Sequence, residues 1–187
     1  MVNPIVGIIG GGQLGSMLAS AAKKINIKTV IFCDDIDSPA KNFSDECIFG
    51  NYDDDNKINE FISKVDIVTF EFENIPYKTL KKINESKKVL PKPEVNRIVQ
   101  NRLSEKDFLN KINISTTKYV SVKNDKDLKS NINLLPGILK TCTLGYDGKG
   151  QHKIDTSEEL DALNPDFKKE FILEKLISLK KEISVII

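Results

Sequence analysis

The stretch IVGIIGGGQLG, residues 5 to 15, decides the fold. Five apolar or small residues read as a short buried strand, the glycines at 10 to 12 as a tight turn, and Gln13 onward as a helix. Leu14, Met17, Leu18, Ala21 and Ala22 recur at the spacing of one helical face, an amphipathic stripe expected to meet the core. A strand that passes through glycines directly into a helix opens a βαβ unit. Working outward, KTVIFC (28–33) reads as a second strand and residues 46–49 as a third. A helix with Ile58, Phe61 and Ile62 on one face follows, then the strand VDIVTF (65–70), then a helix over 76–85.

This alternation predicts an α/β fold whose first domain, residues 1–93, is Rossmann-like: a mostly parallel sheet covered on both faces. Pro91 and Pro93 punctuate its end. A connecting segment over 94–117 is expected to carry one helix, roughly 94–111. Short strands at 117–122, 137–142, 151–154 and 171–176, with one helix between, then predict a partial α+β domain over 118–187. The final EISVII reads as an apolar β segment with no turn or polar tail. An unpaired strand is a poor finish, so the chain is expected to be the amino-terminal part of a longer protein.

Composition excludes several classes. Lys and Arg number 28 against 27 Asp and Glu, which offers no electrostatic case for nucleic acid or an anionic membrane. Cys33, Cys47 and Cys142 lack metal-ligand or CxxC spacing and suit free thiols in a reducing cytosol. Glycines interrupt the apolar amino terminus, and no run approaches the roughly 20 residues of a membrane span. A cytoplasmic protein is expected. A single histidine, His152, leaves no Ser-His-Asp arrangement and no histidine-rich metal set.

Four segments carry candidate chemistry. GGGQLG (10–15) satisfies GxGxxG, with Asp34 or Asp35 about twenty residues on, so it can be a dinucleotide turn or a site for another phosphate or sugar. In EFENIP (71–76), Glu71 and Glu73 at i, i+2 can face the crevice at the strand ends, or form a solvated acidic loop. ILKTCTLGYDGKGQ (138–151) places Lys140 before a loop rich in glycine. That suits a lid over a polyphosphate, and equally an ordinary hairpin turn; it is not a Walker A loop. ILEKLISLKKEISV (172–185) can offer backbone groups to a purine edge and a carboxylate to a ribose, or be a surface loop.

Taken in order, GGGQLG, EFENIP, RLSEKDFL, LKT–GYDGKGQ and LEKLI–EISV resemble the ATP-grasp family of 5-(carboxyamino)imidazole ribonucleotide synthases, from Val6 to Val185. The resemblance implies a pre-ATP-grasp domain followed by a partial ATP-grasp domain. It also implies ATP and Mg²⁺ as cofactors, aminoimidazole ribonucleotide and bicarbonate as substrates, and a homodimer. By the same resemblance, the ATP contacts are Arg102, Lys140, the lid Gly145, Tyr146, Asp147, Gly148, Lys149, Gly150 and Gln151, the hinge Glu174, Lys175, Leu176 and Ile177, and Glu182. The ribonucleotide contacts are Gly12, Gln13, Leu14 and Glu73. The metal ligands and catalytic residues are expected beyond residue 187, so the chain alone is expected to be inactive. Ser16, Asn101, Cys142 and Leu144 stand where the family has Arg, Asp, a basic residue and Gly. The competing readings are a NAD-dependent oxidoreductase, drawn from GGGQLG and Asp34, and a non-catalytic nucleotide-binding module.

Overall fold

The computed structural model describes residues 3–145 and 150–185 and divides into two units, Met1–Val99 and Gln100–Ile187. The expected connecting segment 94–117 is shared between them.

The first unit runs β1 (Val6–Ile9), α1 (Gln13–Lys24), β2 (Thr29–Cys33), a 3₁₀ turn (Pro39–Asn42), β3 (Glu46–Phe49), α2 (Asp55–Lys64), β4 (Ile67–Phe70), α3 (Tyr77–Asn84), β5 (Lys88–Val89) and α4 (Pro93–Val99). Its strands are parallel in the order β3-β2-β1-β4-β5. Side-chain alternation along the strands builds two cores. Ile9, Val30 and Phe32 pack with Ile58 and Phe61 of α2 and Leu80 and Ile83 of α3. Ile8, Ile31 and Cys33 pack on the other face with Ala19 of α1 and Ala40. Helix α2 starts where it does because the Asp54 carboxylate accepts the Asn56 and Lys57 N–H groups.

Helix α1 does not bury its apolar stripe. Leu14 and Met17 are more than half exposed, whereas Gly15, Ser16 and Ala19 face inward. The helix lies too close for larger residues: a Cβ on Gly15 would come 2.8 Å from the Gly10 carbonyl oxygen. Ser16 is buried and its Oγ donates to the Gly12 carbonyl at 2.9 Å.

The second unit comprises α5 (Arg102–Lys111), β6 (Tyr119–Val122), α6 (Asp125–Lys129), a 3₁₀ turn (Ile132–Leu134), β7 (Gly137–Thr141), β8 (Gln151–Ile154), α7 (Ser157–Ala162) and β9 (Phe171–Lys175). Its sheet is antiparallel, in the order β6-β9-β7-β8. Val122, Leu139, Ile154 and Leu173 meet Leu128 of α6 and Leu160 of α7 in one core.

Two expectations are corrected here. The helix over 94–111 is two helices, because Asn101 is extended and its side chain accepts the Leu103 and Ser104 N–H groups. It caps α5. The EISVII segment forms no strand over its described residues, 182–185; no ladder partner pairs with them, and Ile183 and Val185 are exposed. Among the described residues no helix is long and apolar enough to cross a membrane.

The three cysteines are free thiols. Cys33 and Cys47, on neighbouring strands, lie 3.7 Å apart at sulfur. Their hydrogen bond lowers the Cys33 thiol to about 7 against the opposing effect of burial, and raises Cys47 above its ordinary range. Replacing Cys47 with Ala removes the main lowering influence and leaves burial as the largest effect, opposed by the weaker Ser38 and Asp35 hydrogen bonds. Ultraviolet thiolate titration is expected to show a midpoint near 7 in the parent chain and none there in Cys47→Ala. An unchanged midpoint would assign the low value to another cause.

Candidate functional site

In the first unit the turn after β1 needs glycine at Gly10, whose φ of +106° lies in the region L side chains avoid. A Cβ there would also fall inside the Glu71 side chain. Glu71 follows β4 directly, and its N–H donates to the Ile9 carbonyl at 3.0 Å. Its carboxylate turns toward the start of α1 and accepts the Gly12 N–H at 2.7 Å and the Gly15 N–H at 2.5 Å. Strand alternation therefore does not carry past Phe70. Glu71 serves the turn, while Glu73 is exposed at a cleft of about 210 Å³ bounded by Phe70, Phe72, Val95 and Val99. Gln13 and Leu14, the first two residues of α1, are both exposed.

In the second unit Glu174, on β9, is only 6% exposed. Lys140 of β7 reaches its Oε2 at 2.7 Å, and Lys106 of α5 reaches its Oε1 at 3.3 Å. Lys106 also lies over the Tyr119 ring, whose hydroxyl donates to Asp107 at 2.6 Å. Two cations around one buried carboxylate leave a local surplus of positive charge, the balance that an anionic ligand requires. Lys106 is the member that sequence reasoning did not select as a site residue. The one local hint was its place four residues after Arg102, on the same face of one helix, which by itself does not distinguish it from a solvated lysine.

Arg102 donates from Nε to the Thr141 carbonyl at 3.2 Å and from Nη2 to the Gly145 carbonyl at 2.6 Å. It thus ties α5 to the base of the glycine-rich loop. Tyr146, Asp147, Gly148 and Lys149 lie outside the described residues. Gly150, with φ +70°, and Gln151 resume the chain, and the Thr141 N–H donates to the Gly150 carbonyl at 2.9 Å. Leu144, where the resemblance implies glycine, adopts φ +56°, a left-handed conformation costly for leucine. Cys142 is buried, and burial, followed by the Glu170 charge, pushes its thiol up to about 11. Beyond Glu174, the Lys175 N–H donates to the Lys118 carbonyl and the Leu176 N–H to the Pro136 carbonyl. Ile177 and Glu182 are exposed. Among the described residues, no three His, Cys, Asp or Glu side chains gather as a metal set.

A parallel unit with a glycine turn, followed by an antiparallel unit with a basic cluster beside a glycine loop, defines a class. Residues 4–100 match the ribonucleotide synthetase preATP-grasp domain and residues 107–187 the ATP-grasp domain. The chain belongs to the ribonucleotide synthetase preATP-grasp family. Among its relatives are N5-carboxyaminoimidazole ribonucleotide synthases. That of Brucella melitensis biotype 1 is 39% identical over 97% of this chain and 51% of its own length. The crystal structure of N5-carboxyaminoimidazole synthetase from Staphylococcus aureus complexed with ADP superposes with a TM-score of 0.88 at 36% identity, over 95% of this chain and 48% of that one. The Aspergillus clavatus synthase in complex with ADP and 5-aminoimidazole ribonucleotide has a TM-score of 0.81 at 26% identity, over 95% and 48%. The chain spans about half the length of these relatives.

Proposed function

We propose that this chain supplies the ribonucleotide-binding turn and part of the ATP site of an ATP-dependent carbon–nitrogen ligase. The enzyme carboxylates 5-aminoimidazole ribonucleotide with bicarbonate, through carboxyphosphate, in purine synthesis. The observation that carries this reading is the cluster of Lys140, Glu174 and Lys106 beside a loop whose base is held by Arg102. In this reading Lys140 and Arg102 meet the phosphates, and the loop from Gly145 to Gln151 closes over them. Leu176 and Ile177 offer backbone groups to adenine, and Glu182 binds the ribose. Gly12, Gln13, Leu14 and Glu73 bind the ribonucleotide. Carboxyphosphate is short-lived in water, so a closing loop that excludes solvent serves the chemistry. ADP and the ribonucleotide in the relatives' structures support the assignment of substrates. Magnesium is implied by the family, but the described residues gather no ligand set for it. A homodimer and a cytoplasmic setting belong to the same reading. The dehydrogenase reading is weaker, because the Gly12 and Gly15 amides already serve Glu71.

Residue-resolved NMR titration of the chain tests the proposal. 5-Aminoimidazole ribonucleotide is expected to shift the signals of Gly12, Gln13, Leu14 and Glu73, and ATP those of Lys140, Glu174 and Ile177. Lys140→Ala removes a charge-assisted phosphate contact and is expected to weaken the ATP response roughly ten- to hundredfold. Full retention of that response in the variant, or NAD rather than ATP as the ligand bound, would overturn the assignment.

A further inference from the structure

The first N–H groups of a helix have no partners within it, and the helix dipole makes that end attractive to anions. In α1, a helix of 12 residues, the N-cap Gly12 has no side chain to offer. The cap comes instead from 59 residues further along the chain, as the Glu71 carboxylate. Each of its oxygens takes one amide, Oε1 from Gly12 and Oε2 from Gly15. A phosphate drawn to these amides would have to occupy the positions those oxygens hold, and would meet their charge. We propose that Glu71 is a specificity-determining residue, an internal anion that closes the α1 turn to phosphate groups while fixing Gly12 and Gly15. The turn then keeps the outline of a dinucleotide site without its chemistry. This inference bears on the ligase reading in one respect: a ribonucleotide that meets Gly12, Gln13 and Leu14 does so through its base or ribose, because the Gly12 and Gly15 amides are closed to its phosphate.

The test uses the 187-residue chain, with inorganic phosphate and pyrophosphate as probes and sodium chloride of equal ionic strength as the control. Glu71→Ala empties the turn, and the Gly12 and Gly15 amide signals are expected to respond to phosphate at least about tenfold more tightly than in the parent chain. A role confined to stability would not create that response. Glu71→Gln keeps the turn filled but faces one amide donor with another, so it is expected to lose exchange protection at one of the two glycine amides and to gain no phosphate response. A folded Glu71→Ala chain indifferent to phosphate would overturn the proposal. Where Glu71→Ala does not fold, Glu71→Gln decides. Both amides remaining protected, or a gain of phosphate binding, would refute the proposal, and loss of protection at one without phosphate binding would uphold it.

Discussion

Replacing Lys106 and Lys140 together with methionine is expected to destabilise the second unit by about 3–5 kcal/mol. Among the described residues, the two ammonium groups are the ion-pair partners of a carboxylate only 6% exposed. A paired buried charge adds little net stability, but the same charge left unpaired bears its desolvation cost alone. Either single variant leaves Glu174 one cation and is expected to cost less than half as much. Adding Glu174→Leu to the double variant removes the stranded charge and is expected to recover most of the loss, because apolar replacement of a whole buried cluster is often neutral. Urea unfolding followed through the amide signals of β9 separates these outcomes without assuming that the two units unfold together. A double variant that loses under about 1 kcal/mol would mean that Glu174 is solvated in the native state.

In the first unit, Phe61→Ala is expected to cost about 3–5 kcal/mol. The ring is fully buried, lies 5.5 Å from the Phe32 ring between centroids, and rests against the backbone of β1 at Gly7. That last contact makes a sign-reversing cycle. A Cβ on Gly7 would intrude on the Phe61 ring, so Gly7→Ala alone destabilises. In the Phe61→Ala background the ring is gone and the remaining close neighbour, Val65 Cγ1 at 3.0 Å, can yield into the vacated space, so the added methyl is expected to be neutral or favourable. Chemical denaturation of the three variants measures the coupling. Additive costs would show that the ring and the strand do not share that space.

The strands of the first unit are legible because each is a short apolar run between turn residues, and that signal is local. The capping of α2 by Asp54 is local as well. The α1 stripe shows the limit. Leu14, Met17 and Leu18 have the periodicity of a core face, yet the face buried is the one whose residues are small enough for close approach to the turn and to Ala40. Periodicity reports that two faces differ; which face is covered depends on the distance to a neighbour that the segment does not encode. Lys106 was overlooked for a related reason. A lysine on a polar helix reads as solvated until the fold brings a buried carboxylate from another strand within reach.

By itself, the order of apolar runs and glycines determined the α/β class and the succession of strands, because hydrophobic patterning and turn chemistry are properties of neighbouring residues. The motifs in their order also determined the family. Only the tertiary structure decided what the acidic and basic groups do. Glu71 and Gly12 are 59 positions apart, and Lys140 and Glu174 are 34 apart. An ion pair or a borrowed helix cap between such residues exists only once the sheets have formed, since electrostatic energy depends on separation and desolvation, which sequence spacing does not specify.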